Sequence, residues 1–267
     1  GGKMNFIKSN VKRVIDDNLK RGAHDDALGK AYEKSLIEIF NCQQYVDNFN
    51  NGYRSSELDE VVFRLVCESA SISKISSCNV NLVPKRFSGG EPKTDVCVVI
   101  NDKQIKISSK KSKSKAVSAA EFYAETIFRE VKDLKNIEVR HLIDKFIKDS
   151  SAKNFSSIEK GKLERELKRF DCSRKLVKWV LSGSPEDFCE DPRIADTLVT
   201  FSTDSEGNPT GLEVCSINNK VNKLLSRKGG FGTGLSWTYA TGTKGKKLQF
   251  KVPVTTIPLE KICEPTR

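Results

Sequence analysis

The sequence predicts an α/β fold, with a central mixed β-sheet flanked by helices, on three observations. Some segments carry apolar residues at three- and four-residue steps, others are short, β-branched runs bounded by turn residues, and the two kinds follow one another without strict alternation. Strict alternation would indicate a doubly wound parallel sheet; its absence points to a mixed one.

Residues 26–41 form the clearest helix, with Leu28, Ala31, Tyr32, Leu36, Ile39 and Phe40 on one stripe and Asp25 or Asp26 available as N-cap. Residues 57–69 and 119–134 repeat the pattern, the latter through Tyr123, Ile127, Val131 and Leu134. Further helices are expected at 137–149 and 157–170, with a short one after Cys172, capped by Ser173 and containing Trp179. Residues 182–192 read as a loop by composition. Strands are expected at 95–100, 104–108, 197–202, 212–217 and 248–255. Residues 228–245 hold six glycines around Phe231, Trp237 and Tyr239 and read as a glycine-rich loop that its aromatics anchor to the core.

The 267 residues are 37% hydrophobic and 30% charged, enough apolar material for a core and too much for a disordered chain. No run approaches the roughly 18–20 apolar residues of a bilayer span, and no apolar leader stands at the start, which argues against a membrane-spanning or secreted protein. Gly1 to Lys3 read as an expression remnant before Met4. Eight cysteines are scattered without a C-x-x-C pair and there are two histidines, so the pattern favours reduced thiols of a cytosolic protein over structural zinc or a disulfide framework.

The net charge of +11 is localised. Between Asp102 and Glu121 there are six lysines and no acid; between Glu213 and Glu260 there are eight basic residues and again no acid. Without these two stretches the chain is net acidic. A charge run is most often a solvated face, but two segregated stretches in a chain with 35 acids suit a polyanion. The bases are interleaved with Ser, Thr, Gly and aromatics and do not lie on an amphipathic helix, which favours nucleic acid over an anionic membrane.

Thr94 to Ser108 reads as a hairpin turning at Asn101-Asp102. With a two-residue loop, Val99 faces Gln104 and Cys97 faces Lys106, and Asp95, Gln104, Lys106 and Ser108 share one face; an odd loop would move Asp95 to the other side. A carboxylate, an amide oxygen and a lysine on one face suit Mg²⁺-assisted phosphodiester hydrolysis: the oxygens hold a hard cation and the lysine orients the attacking water. In the regular register Asp95 faces Ser108, Lys106 lies diagonal to it, and Gln104 is two residues further along.

Three blocks carry a family resemblance. They are Gly230-Phe-Gly-Thr-Gly-Leu-Ser-Trp-Thr-Tyr-Ala-Thr-Gly-Thr-Lys-Gly-Lys-Lys-Leu-Gln-Phe-Lys251; Gly89-Gly-Glu-Pro-Lys-Thr-Asp95 with Ile105-Lys-Ile-Ser-Ser-Lys-Lys111 and Val117-Ser-Ala-Ala-Glu-Phe-Tyr-Ala-Glu-Thr-Ile127; and Leu28-Gly-Lys-Ala-Tyr-Glu-Lys34 with Ile39-Phe40. In these the chain resembles the MspI-type restriction endonucleases of the PD-(D/E)xK nuclease superfamily. The resemblance implies a restriction-endonuclease-like fold forming a single nuclease domain over residues 4–267, with a catalytic hairpin near 94–109 and a DNA-reading segment at 228–251. It implies Mg²⁺ as cofactor, with Asp95 and Gln104 as metal ligands, Lys106 as catalytic lysine and Glu33 as a further ligand of metal or water. The hairpin is shorter here than in the family, and an ungapped alignment would put Ser108 and Lys110 in the two roles instead.

The matching base readers are Ser118, Thr238, Thr241, Gln249 and Lys251, which implies CCGG, or a site containing it, as target in double-stranded DNA. Lys110, Lys111, Lys113 and Lys115 suit phosphates more than bases. A cognate DNA methyltransferase and a bacterial cytoplasmic location follow from the same resemblance. The rival reading is a sequence-specific DNA-binding module without cleavage; an RNA-binding protein is a third.

Overall fold

The apolar stripe expected over residues 26–41 becomes a longer helix, Arg21–Phe40, which starts ahead of both proposed aspartate caps. The structure, a computed structural model, describes residues 5–85, 91–187 and 189–263; the Gly1–Lys3 remnant and the Gly89-Gly90 pair of the resemblance lie outside them. In chain order the first elements are α1 (Phe6–Asp16), α2 (Arg21–Phe40), α3 (Gln43–Asn50), α4 (Leu58–Ser69), β1 (Cys78–Asn81), β2 (Val96–Ile100) and β3 (Lys103–Ser112). Next come β4 (Ala116–Phe122), α5 (Ala124–Glu130), α6 (Ile137–Asp149), α7 (Ser157–Lys168), α8 (Cys172–Ser182), β5 (Thr197–Thr203) and β6 (Pro209–Ser216). The chain ends through α9 (Ile217–Leu225), β7 (Ser236–Thr238), β8 (Leu248–Pro253), β9 (Ile257–Pro258) and α10 (Leu259–Ile262).

Two compact units result: described residues within Gly1–Lys115, Asp191–Ser216 and Val254–Arg267 form one, and Ala116–Glu190 with Ile217–Pro253 the other. The first unit holds a six-stranded sheet in the order β1-β2-β3-β5-β6-β9. β3 pairs antiparallel with β2 and parallel with β5, so the sheet is mixed, as expected. The stripe of α2 packs with α4 onto Val96, Val98, Ile100, Ile105, Ile107, Val199 and Phe201. Tyr32 lies 4.6 Å from the Phe201 ring and Phe40 stacks 5.2 Å from Phe63.

α1, which the sequence reading did not anticipate, has no side-chain cap of its own. Asp59 of α4 supplies one: its carboxylate accepts the N–H groups of Phe6 (2.6 Å) and Ile7 (3.2 Å). The β2–β3 turn has the expected two-residue length, with Asn101 and Asp102 at φ +52° and +65°, the conformation of a type I′ hairpin.

The second unit is built round a three-stranded antiparallel sheet, β4-β8-β7. Leu248, Phe250 and Val252 of β8 are buried and alternate with Gln249 and Lys251 on the opposite face. Trp237 closes the buried side, 5.4 Å from Phe250 and 4.9 Å from Phe231, and its indole N–H donates to Thr233 Oγ1 at 3.1 Å.

Three expectations need correcting here. Residues 119–134 are not one helix: 116–122 pair with β8, from Ala116 opposite Pro253 to Phe122 opposite Leu248. Only Ile127, Val131 and Leu134 of the proposed stripe are buried, while Tyr123 is exposed. Strand pairing and the stacking of Phe122 on Trp179 at 4.0 Å override the helical propensity of the alanines. The glycine-rich segment likewise is not loop throughout, since Ser236–Thr238 form β7. Ser173 lies inside α8, not at its cap. No helix among the described residues is long and apolar enough to cross a membrane.

Asp59→Ala strands two amide donors at the start of α1 and is expected to cost about 1–3 kcal/mol. Urea unfolding should show a lower midpoint at unchanged slope.

Candidate active site and nucleic-acid interface

The regular β2–β3 ladder pairs Val99 with Gln104, Cys97 with Lys106 and Val96 with Ile107, the register the sequence predicts. It stops there. The Asp95 N–H donates to the Ile107 carbonyl at 2.8 Å, one residue short of the Ser108 partner that a regular continuation would give. The Asp95 carboxylate reaches on to accept the Ser109 N–H at 2.7 Å. Its charged neighbours are therefore Lys110 and Lys93, and its side chain is hydrogen-bonded to Glu33 of α2.

That contact joins two carboxyl groups, so one of them must hold a proton. Burial first, and the adjacent Asp95 charge second, push the Glu33 carboxyl up to about 7. Asp95 is also raised by burial, against the pull of the Ser109 N–H, Lys110 and Lys93. Burial lowers the Lys110 ammonium, with the Asp95 charge opposing. A half-buried lysine of β3 and two crowded carboxyls, one just ahead of β2 and one on α2, are the kind of perturbed cluster that marks a candidate reactive site.

Gln104 and Lys106 do not join this cluster. Gln104 stands beside the turn, and Lys106, 4% exposed, donates from its ammonium to the Asp191 carbonyl at 3.0 Å. Its backbone is bonded on both sides of Asp196: Lys106 N–H to Asp196 Oδ1 at 3.0 Å, and Asp196 N–H to the Lys106 carbonyl at 2.9 Å. Lys106 thus pins the segment leading into β5. Ser108 is buried on β3 between Lys106 and Lys110. The irregularity after Val96 shifts Asp95 along β3, toward Lys110 and away from Lys106 and Gln104.

The donor set fits a hard divalent cation. Glu33 and Asp95 offer carboxylate oxygens, and two like charges held in contact are relieved by a cation between them. Among the described residues no group of three or more His, Cys, Asp or Glu could cage a metal. Mg²⁺ suits so sparse a site because it is held by one or two carboxylates completed by water and substrate phosphate.

In the second unit, pairing places Ser118 and Ser236 on either side of Lys251, and Glu121 and Thr238 on either side of Gln249. Four of the five expected readers, Ser118, Thr238, Gln249 and Lys251, therefore share the polar face of one small sheet. Gln249 Nε2 donates to Ser118 Oγ at 3.0 Å. Thr241 lies in the exposed turn after β7. Ser236 shares this face although the sequence reading passed over it; its two-residue spacing from Thr238 was the available signal. Of the lysine run in the first unit, Lys111 lies 3.9 Å from Asp25 and Lys113 is exposed.

Fold and site define the chain as a nuclease of restriction-endonuclease type. It superimposes on the crystal structure of restriction endonuclease MspI in complex with its cognate DNA with a TM-score of 0.80 at 26% identity, over 94% of this chain and 100% of that one. The family model for restriction endonuclease MspI matches residues 8–252, and the chain belongs to that family. The type II restriction enzyme MspI of a Moraxella species is 30% identical over 245 residues, 87% of this chain and 92% of its own length. The type II restriction enzyme BsuFI of Bacillus subtilis is 22% identical over 264 residues, 93% of this chain and 64% of its own.

The folded Glu33 carboxyl titrates near 7 against an ordinary 4.5, so the folded state binds the extra proton between those values and the metal-free protein loses stability as pH rises through that window. Glu33→Gln removes this loss. Its advantage in urea midpoint over the parent should widen as pH rises through the same window, and a constant difference would refute the assignment.

Proposed function

We propose that this restriction endonuclease hydrolyses phosphodiester bonds of double-stranded DNA at CCGG, or a site containing it, with Mg²⁺ as cofactor. The observation that carries the reading is the Glu33–Asp95–Lys110 cluster in a chain of the MspI family. In this reading the two units serve one nuclease spanning residues 4–267, working in the bacterial cytoplasm beside a methyltransferase that protects the same site.

Asp95 and Glu33 would hold the cation, with Ser108 as the neutral donor in place of Gln104. Lys110, in place of Lys106, takes the role of catalytic lysine, since Lys110 is the cation of β3 that faces the Asp95 carboxylate. Bound Mg²⁺ would offset the charge that grows on the scissile phosphate and acidify the attacking water. Glu33 gives up its proton when the cation is bound. Lys110 hydrogen-bonds the water for in-line attack and, remaining close to the phosphate, stabilises the added negative charge. Burial makes that ammonium easier to deprotonate, which suits it to pass a proton.

Base reading falls to the polar face of β4-β8-β7. Lys251 can donate to guanine O6 and N7, while Gln249, Ser118, Thr238 and Thr241 suit the cytosine amine and the remaining acceptors. Lys111 and Lys113 are left for phosphates.

An unmethylated, sequenced plasmid digested with Mg²⁺, and with EDTA as control, should give discrete fragments whose ends share one CCGG-containing motif. Asp95→Ala and Lys110→Ala should each reduce cutting by on the order of 10³-fold while a retarded DNA band persists. Lys106→Ala should chiefly lower the melting temperature. Intact plasmid with a retarded band for the parent protein would leave the non-cleaving DNA-binding module standing. Lys251→Ala is expected to weaken discrimination against single-base variants of the site by about 1–3 kcal/mol, read as the ratio of cleavage rates.

A further inference from the structure

A groove of about 550 Å³ opens in the second unit where Arg227, Lys228, Gly229 and Gly230 face Ser236 and Thr238 of β7. Among the described residues, no acidic one lines it. Arg227 and Lys228 are exposed, and among the described residues neither forms an ion pair, whereas Lys145, Lys175 and Lys247 of the same unit each meet a carboxylate. Two adjacent free cations without an acid nearby form a field that only an anion from outside can balance.

The backbone adds to this. Gly229, Gly230 and Phe231 have φ of +102°, +57° and +56°, and their N–H groups donate to no acceptor among the described residues. The loop is rigidly placed. A Cβ on Gly234 would lie 1.9 Å from the Leu224 carbonyl oxygen and one on Gly230 2.1 Å from that of Leu235. Phe231 is pinned 4.9 Å from Trp237, which itself packs on Phe250 of β8. Gly229 differs, because nothing lies within 4 Å of where its Cβ would be, so its bare side faces the opening. β7 is common to both features: Thr238 stands opposite Gln249 on the polar face and also lines the groove.

We propose that Arg227 and Lys228, on the turn around Gly229, grip backbone phosphates of the duplex next to the bases that the β7–β8 face reads. Cations, free amides and a hydroxyl without any acid are donors for phosphate oxygens and carry no base code, so the grip positions the duplex and does not select its sequence. The inference rests on the duplex-DNA reading given above.

Fluorescence anisotropy in EDTA, over a series of NaCl concentrations, tests it with two short duplexes, one with CCGG and one with the same composition lacking it. Arg227→Gln and Lys228→Gln should weaken both duplexes by the same factor. Each should reduce the slope of log K against log salt by about 0.9, the value of one lost phosphate contact. Lys8→Gln, an equal loss of charge at an exposed position of α1, should leave the slope unchanged. Parental slopes in both groove variants would overturn the proposal while leaving duplex binding intact. Weakening confined to the CCGG duplex would overturn it in favour of base reading. If the parent protein binds neither duplex, the duplex reading itself fails and the grip falls with it. Inorganic phosphate that competes as well as duplex DNA at equal phosphate concentration would mark a small-anion site and also overturn the proposal.

Discussion

Two carboxyl groups in contact, Glu33 and Asp95, set the terms for the candidate site on β3. Left ionised together they repel, so one keeps a proton or a cation comes between them. The contact depends on α2 delivering Glu33 from the core side of the sheet while its stripe of Leu28, Tyr32 and Leu36 stays buried. It depends equally on the break in pairing after Val96, which lets Asp95 reach the Ser109 N–H. A helix fixed by apolar packing and a strand released from its ladder together bring two like-charged carboxyls into contact, with Lys110 facing Asp95.

The central strand explains how this is tolerated. β3 has β2 on one edge for its first half and β5 on the other for its second, so its backbone bonds are handed from an antiparallel partner to a parallel one. Side-chain groups take the donors the ladders leave over: beyond the end of β2, Ser109 N–H goes to Asp95, and on the other edge, ahead of the start of β5, Lys106 N–H goes to Asp196. The polar groups round β3 therefore replace ladder bonds, and the strand continues through Ser108 and Lys110 to Ser112.

Much of this was legible in the residues. The Asn101-Asp102 turn fixes the hairpin register, because a two-residue loop with both residues in the left-handed region leaves no freedom in the pairing that follows. The α2 stripe was equally plain. The departure of Asp95 from regular pairing was not, since no residue type near 94–96 announces it and the regular ladder is the natural extrapolation; hence Asp95 is expected diagonal to Lys106 and is found facing Lys110. Residues 116–122 carry alanines that suit a helix, and only their partner strand, more than a hundred residues later, makes them a strand. The polar face of β8 was readable from alternation alone once 248–253 is taken as a strand, whereas the places of Ser118 and Thr238 on that face depend on pairing that no local pattern encodes.

The second unit is threaded into the first in two separate lengths, Ala116–Glu190 and Ile217–Pro253. Its sheet draws β4 from one length and β7 and β8 from the other, with β5 and β6 of the first unit encoded between them. No single contiguous cassette contains that surface. A recombination event that swaps one stretch of gene would bring half a sheet without its partner, so new variants of this surface are open to stepwise point change and closed to modular exchange.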